Sequence, residues 1–456
     1  MAKSMTEGNP LSLILKFSLP LLAGNIFQQT YNIMDAAIVG RFLGTDALGA
    51  VGASTSVQFL VLGFCTGMCV GFTVPVAQRF GAKDYHGMRQ YMFMGILQTA
   101  FFGLIVTLLT SLLCHQILYI LRTPSNIYDD AYRYLLVLFL GIPFTLMYNL
   151  LSGILRAVGD SKTPFIFLLI STVLNIGLDL LCIVVLGWGC AGAAIATIAS
   201  QAVSGILCLV YIVKRYEILH IRKMDRSWSH RMARVLLKMG LPMGLQFSIT
   251  AIGSMIMQSA NNSLGSVYVS GFTAASRVKA FCMCPYDALA TAVATFASQN
   301  YGACKVDRIK KGLVEGVCIG VLYGILIGLV QIFFGRNLAL IFIDKSHPEV
   351  IDAAARIMHW SGLFFWTLGI LNVARLTVQG LGFSTRAIFS GVIEMIARSV
   401  VSFAFVPFFG FGAICVADQT AWVSAIAYII PTSIIVIHKI EKMLEMDSKP
   451  SEKRKA

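Results

Sequence analysis

Twelve apolar runs of helical length follow one another along the chain, at about 10–35, 47–78, 90–119, 130–155, 164–186, 191–214, 236–262, 270–299, 312–341, 350–380, 385–408 and 412–438. Roughly 20 predominantly apolar residues cross a bilayer as a helix. The runs are continuous rather than alternating, so the strands of a barrel are not expected. Of the 456 residues, 57% are hydrophobic and 13% are charged, about half the charge of a soluble chain. So few charges cannot cover a soluble domain of this length, which sets aside soluble enzymes, disordered chains and fibrous proteins. The expected fold class is an all-α polytopic membrane protein with twelve transmembrane helices.

An even number of spans puts both termini on one side. About 26 of the 36 Lys and Arg residues fall in connections on that side, eight of them between Lys214 and Lys238. Arg41, Arg122, Arg133, Arg336, Lys345 and Arg356 fall on the other. The positive-inside rule then makes both termini cytoplasmic, and the net charge of +14 reports topology rather than nucleic acid. The apolar stretch from Leu11 is too long for a cleavable signal and lacks a small-residue cleavage site. Most cysteines, Cys318 and Cys415 among them, sit inside or at the ends of apolar runs and read as small buried hydrophobes, without a disulfide framework or a metal site.

The most polar interior segment, 214–235, divides the chain into an N-lobe (1–213) and a C-lobe (236–440), followed by a charged tail (441–456). Arg222, Lys223, Arg226 and Arg231 there would either meet anionic lipid or belong to an ordinary positive-inside loop. The halves resemble each other. Val76-Ala-Gln-Arg-Phe-Gly-Ala-Lys matches Ala297-Ser-Gln-Asn-Tyr-Gly-Ala-Cys, pairing Gln78 with Gln299 and Gly81 with Gly302. Asn149, Gly159 and Ser161 match Asn372, Gly382 and Ser384, and Gly187-Trp-Gly matches Gly410-Phe-Gly. Six helices repeat as six helices, and because six is even the repeats are parallel, related by an axis along the membrane normal.

Polar side chains inside the runs are costly and read as functional by default, about 2.5–3.5 kcal/mol for a carboxylate on insertion scales. Gln28, Tyr31 and Asp35 share one face of the first helix. Asp35 is either such a group or a helix-end residue paired with Arg41. Asn175 and Asp179 lie one turn apart on the fifth helix, Thr197 and Gln201 on the sixth, and Asn149 on the fourth. Gln246 and Asn372 are the corresponding cavity candidates of the second half. Two carboxylates with amide and hydroxyl oxygens would share a proton or hold a hard cation such as Na+; the alternative is hydrogen-bonding glue between helices, which suits Ser and Thr better than Asp. In the second half Arg398 stands where Asn175 stands in the first, and Ser402 where Asp179 does. Arg277, Lys279, Asp287, Arg375, Glu394 and Arg398 form its expected polar network, either structural or substrate-lining.

These residues resemble the multidrug and toxic compound extrusion (MATE) family of secondary transporters. The likeness rests on Asn32-Ile-Met-Asp35 with Val39-Gly40, on Gln78-Arg-Phe-Gly-Ala, and on Leu155-Arg-Ala-Val-Gly-Asp-Ser-Lys-Thr-Pro164. Leu174-Asn-Ile-Gly-Leu-Asp179 and Gly187-Trp-Gly-Cys-Ala-Gly-Ala-Ala-Ile-Ala-Thr197 complete it. The resemblance implies two pseudo-symmetric six-helix bundles forming a V in the bacterial cytoplasmic membrane. It also implies export of amphipathic, cationic organic compounds in exchange for Na+ or H+, with no cofactor. By position Asp35, Asn175, Asp179 and Thr197 match the family's N-lobe cation or proton site. Acids that some members carry in the seventh and tenth helices have no counterpart in Leu241-Pro-Met-Gly-Leu-Gln-Phe-Ser-Ile-Thr or Trp366-Thr-Leu-Gly-Ile-Leu-Asn372. That departure points to the DNA-damage-inducible branch, with coupling in the N-lobe.

The expected mechanism is antiport by a monomer among membrane lipids, with a kink at Pro20 letting the first helix rearrange when the acids are neutralised. The rival reading is a lipid-linked oligosaccharide flippase, whose pyrophosphate would need the cations of the second half. A channel is conceivable too. An enzyme is not expected: the seven histidines lie mostly in loops, with no HExxH, GxSxG or phosphate loop.

Overall fold

The computed structural model describes residues 3–121 and 123–448. Arg122 and residues 449–456 of the expected tail lie outside the described residues. The first half holds α1 (Pro10–Leu43), α2 (Thr45–Gly81), α3 (Tyr85–Leu112), the short α4 (Cys114–Ile120), α5 (Ser125–Leu140), α6 (Ile142–Ala157), α7 (Lys162–Asp179) and α8 (Gly189–Arg215). The second holds α9 (His230–Asn262), α10 (Ser266–Gly302), α11 (Val306–Ala339), α12 (Pro348–Gly380), α13 (Ser384–Val400), the one-turn α14 (Val406–Phe409) and α15 (Phe411–Ser448). Eleven helical segments are long and apolar enough to cross a membrane, and α5 with α6 makes a twelfth. Among the described residues there is no strand.

The fourth run, expected as one helix over 130–155, is two helices bent by 46° around Gly141. Pro143, in the first turn of α6, has no N–H with which to continue the ladder from α5. Gly141 also lies so close to Ile198 that a Cβ would stand 2.3 Å from its Cδ1. Pro20 lies inside α1, which remains helical from Pro10 to Leu43.

The chain forms two compact units. The first comprises Lys3, Leu19–Val76 and Tyr85–Ala251; the second comprises Ser4–Ser18, Ala77–Asp84 and the chain from Ile252 onward. By contact the division falls within α9, and two residues before Pro20 in α1.

The repeat extends to the backbone. Left-handed φ values recur in pairs at the sequence offsets: Gly44 with Gly265, Lys83 with Cys304, Gly159 with Gly382, and Gly187 with Gly410. Lys83 and Cys304 are the telling pair, because a side chain makes that conformation costly by about 1–2 kcal/mol. The matched Gln-x-x-Gly turns also meet reciprocally: a Cβ on Gly81 would stand 1.9 Å from the Gln299 carbonyl oxygen, and one on Gly302 1.7 Å from that of Gln78. Within the second unit α11 and α12 pack by small residues, Gly320 against Gly369 and Gly328 against Gly362, which lets apolar helices gain dispersion contacts where lipid offers no hydrophobic drive. All eleven cysteines are free; Cys318, expected to be buried, is exposed on α11, and Cys304 is exposed in the turn before it.

Candidate functional site

In the first unit two hydroxyls set the register of α7 on α8. Ser171 Oγ donates to the Ser200 carbonyl at 2.9 Å, and Ser204 Oγ to the Phe167 carbonyl at 3.0 Å. Farther along α7 the same face then brings Asn175 and Asp179 opposite Thr197. The Asn175 amide, oriented so that donors meet acceptors, donates to Asp179 Oδ2 at 3.1 Å and accepts from the Thr197 backbone N–H at 3.2 Å. From α1, the Tyr31 hydroxyl meets the Thr197 hydroxyl at 3.0 Å, and Asp35, one turn on, brings its carboxyl group within hydrogen-bonding reach of Asp179. Asp179 is followed at once by a π-helical segment, Leu180–Val185.

Asp179 is 0% exposed, Asn175 2% and Asp35 9%. Two carboxylates this close repel each other, and a hydrogen bond between them needs a proton on one. Asp35 Oδ1, Asp179 Oδ1 and, one turn along α8 from Thr197, Gln201 Oε1 are buried acceptors without a partner. Such groups are costly when unmet, and a proton on the acid pair, or a hard cation among carboxyl, amide and hydroxyl oxygens, would meet them. No group of three or more His, Cys, Asp or Glu side chains suited to a metal ion gathers among the described residues. Two further side chains join the site that the sequence reading did not single out. Tyr134 of α5 lies in the field of both acids, with Gln58 of α2 near its hydroxyl. Their signal was a Tyr and a Gln inside apolar runs, with nothing in their spacing to connect them to α1 or α7.

The remaining candidates do not converge here. Gln28 is exposed and makes no hydrogen bond among the described residues; Asn149 donates to Thr145 of its own helix at 2.8 Å. Gln246 is buried on α9, and Asn372, in the second unit, is buried with its Nδ2 unpartnered.

In the second unit four of the six expected network residues come together, around an acid that was not expected. Arg375 bonds Glu394, and its Nε donates to Ser390 Oγ at 2.9 Å. Arg398 reaches Glu394 at 3.4 Å and Asp418 at 2.8 Å, and Lys279 pairs with the other oxygen of Asp418. Arg277 and Asp287 are a correction: both are exposed and stand outside the network, with no hydrogen bond or ion pair among the described residues. Residues 277 and 279 point about 200° apart on a helix, so Lys279 facing inward turns Arg277 away, and Asp287 lies about 12 Å further along α10. Asp418 was signalled as an acid in the last apolar run.

Comparison with known proteins agrees with this layout. The MatE family profile matches residues 20–181 and again 242–404, once in each half. A probable multidrug resistance protein of Bacillus subtilis, YpnP, is 33% identical over 419 residues, 90% of each chain. The multidrug export protein MepA of Staphylococcus haemolyticus is 23% identical, over 85% of this chain and 86% of that one. A solved outward-facing multidrug resistance MATE family transporter superposes with a TM-score of 0.89 at 22% identity, covering 96% of this chain and 98% of that one. The twice-matched profile and the shared two-bundle, twelve-span fold place the chain in the MatE family of multidrug efflux transporters, which are not enzymes.

Proposed function

We propose that the chain is a secondary active antiporter. It exports amphipathic, cationic organic compounds in exchange for Na+ or H+ by alternating access, acting as a monomer in the bacterial cytoplasmic membrane with both termini cytoplasmic. Lobes 1–213 and 236–440 would be the moving parts, joined by segment 214–235 and followed by the tail 441–456. The observation that carries this reading is the acid pair Asp35 and Asp179 with its unmet oxygens beside Asn175, Thr197 and Tyr31. An entering cation satisfies those oxygens and neutralises the pair. Loss of their charge changes what α1 packs against, and Pro20, which leaves one carbonyl of α1 without its usual donor, is where the helix bends at least cost.

The flippase reading draws no such support. Its pyrophosphate would need several free cations, and of Arg277, Lys279, Arg375 and Arg398 the last three are engaged by Glu394 and Asp418, which leaves Arg277 alone.

One charge moved across 100 mV supplies about 2.3 kcal/mol, a gradient of roughly fortyfold. Exchange of one proton for one monovalent cation moves no net charge and draws on the proton gradient alone. Transport of cationic dyes into everted vesicles under Na+ and H+ gradients imposed separately tests the reading. One gradient drives accumulation in the parent, and Asp35→Asn abolishes it. An Asp35→Asn protein that is properly inserted and still accumulates dye as the parent does would overturn the proposal.

A further inference from the structure

The segment joining α8 to α9 is held in place and turns its charge outward. At its start the Tyr216 hydroxyl donates to Asp160 Oδ2 at 2.7 Å, while the other Asp160 oxygen accepts from the Thr163 N–H at the start of α7. In its middle Asp225, 0% exposed, accepts from Arg89 Nε at 2.7 Å and from the Arg222 N–H at 2.9 Å, and it meets His86 Nδ1 at 2.6 Å. Burial alone would raise the Asp225 carboxyl, but the bonds from Arg89, the Arg222 backbone and His86 outweigh it and hold the group below the ordinary carboxylate range. The segment's one buried acid is therefore spent on anchoring. Lys214, Arg215, Arg222, Lys223, Arg226, Arg231, Arg234 and Lys238 are all exposed, and Glu217 is the exposed acid among them. Two large apolar side chains stand out from this polar surface, Met224 at 65% and Trp228 at 57% exposure.

We infer that this segment is a docking surface for the anionic phospholipids of the surrounding bilayer. Its place between the ends of two spans sets it at the level of the headgroups. There Lys and Arg side chains bind phosphate through charge, and an amphipathic Trp sits at the water–lipid boundary. A plain positive-inside loop needs only the charge. It does not need Asp225 and Tyr216 to hold the loop in one shape, nor Trp228 and Met224 facing out of it. Arg222, Lys223 and Arg226 flank the Asp225 anchor and are the residues assigned to the phosphodiester, with Trp228 entering the acyl boundary beside them.

The test uses the full chain purified in detergent, titrated with phosphatidylglycerol while thermal unfolding is followed. Phosphatidylglycerol raises the midpoint, and neither phosphatidylcholine nor inorganic phosphate does so. In the triple variant Arg222→Gln, Lys223→Gln, Arg226→Gln the lipid concentration giving half the shift rises about a hundredfold, from a contribution of about 1 kcal/mol per basic residue. Trp228→Ala weakens the shift less. The variant Arg133→Gln, Lys345→Gln, Arg356→Gln removes the same charge elsewhere and keeps the shift. The inference is overturned if the linker variant responds as the parent does, if phosphatidylcholine or inorganic phosphate acts equally, or if the control variant loses as much. Unfolding of the linker variant without lipid at the parent's temperature shows that its fold is intact; should it unfold lower, Trp228→Ala alone decides.

Discussion

The two halves are built on one backbone plan and fill the same place with opposite electrostatics. Each carries a π-helical segment near the end of its fifth span, Leu180–Val185 in one and Val401–Phe405 in the other. Each has a left-handed glycine shortly after it, Gly187 and Gly410. The irregular helix is therefore a property of the repeat and does not by itself mark a site. What differs is the side chain it presents. Asp179 follows Asn175 and faces a second acid, leaving oxygens unmet. Ser402 follows Arg398, which is held by Glu394 and Asp418. One half holds an electrostatic demand that an ion can fill, and the other has answered most of its own. Buried charges that are mutually satisfied are costly to break apart, whereas unsatisfied ones make stability depend on a ligand.

That contrast breaks most visibly at Asp179. Asp179→Asn keeps the shape and removes the charge, so uphill dye export should fall from a gradient of up to about fortyfold to none, as measured in proteoliposomes, while the protein still inserts and unfolds no earlier than the parent. Loss of folding with loss of export would move Asp179 into the structural class. The mirror variant is Glu394→Gln. It leaves Arg375 and Arg398 buried with one countercharge fewer, a change that costs about 3–5 kcal/mol when a buried pair is broken. Its expected signature is a lower unfolding midpoint in detergent, with the ion dependence of export unchanged in the protein that survives. A Glu394→Gln protein of normal stability and altered ion dependence would erase the distinction between the halves.

How far this was legible in the sequence follows from what each feature depends on. Span count and repeat depend on local composition and on matched turns, and both can be read along one chain. The convergence of Asp35, Asn175, Asp179 and Thr197 came from the family resemblance; periodicity alone placed each on a face but could not say which faces meet. The break at Gly141 was missed because Pro143 lies inside an apolar run, where composition outvotes a single residue. Membership of the second network went wrong for a geometric reason. Arg277 and Lys279 look alike in sequence, yet only one can face inward, and Asp418 enters from a helix far along the chain. Tyr134 and Gln58 depend on how α5 and α2 cross α1 and α7, which spacing within a helix does not encode.

The finest form of the comparison concerns two hydroxyls. Thr197 Oγ1 meets the Tyr31 hydroxyl in the first unit, and Ser390 Oγ accepts from Arg375 and donates to the Ala387 carbonyl in the second. Each contributes a hydrogen bond of about 1 kcal/mol, more for the bond to a charged partner. If the first cluster is an ion site, Thr197→Val removes an oxygen from its wall without changing side-chain volume. The concentration of coupling ion giving half-maximal export should then rise about fivefold to tenfold at an unchanged maximal rate. Ser390→Ala should leave that concentration where it is and lower only the unfolding midpoint, since Arg375 keeps Glu394 but loses its second partner. Should Thr197→Val instead lower stability and leave the ion dependence untouched, the hydroxyl serves to hold Tyr31, and the site contracts to the two acids and Asn175.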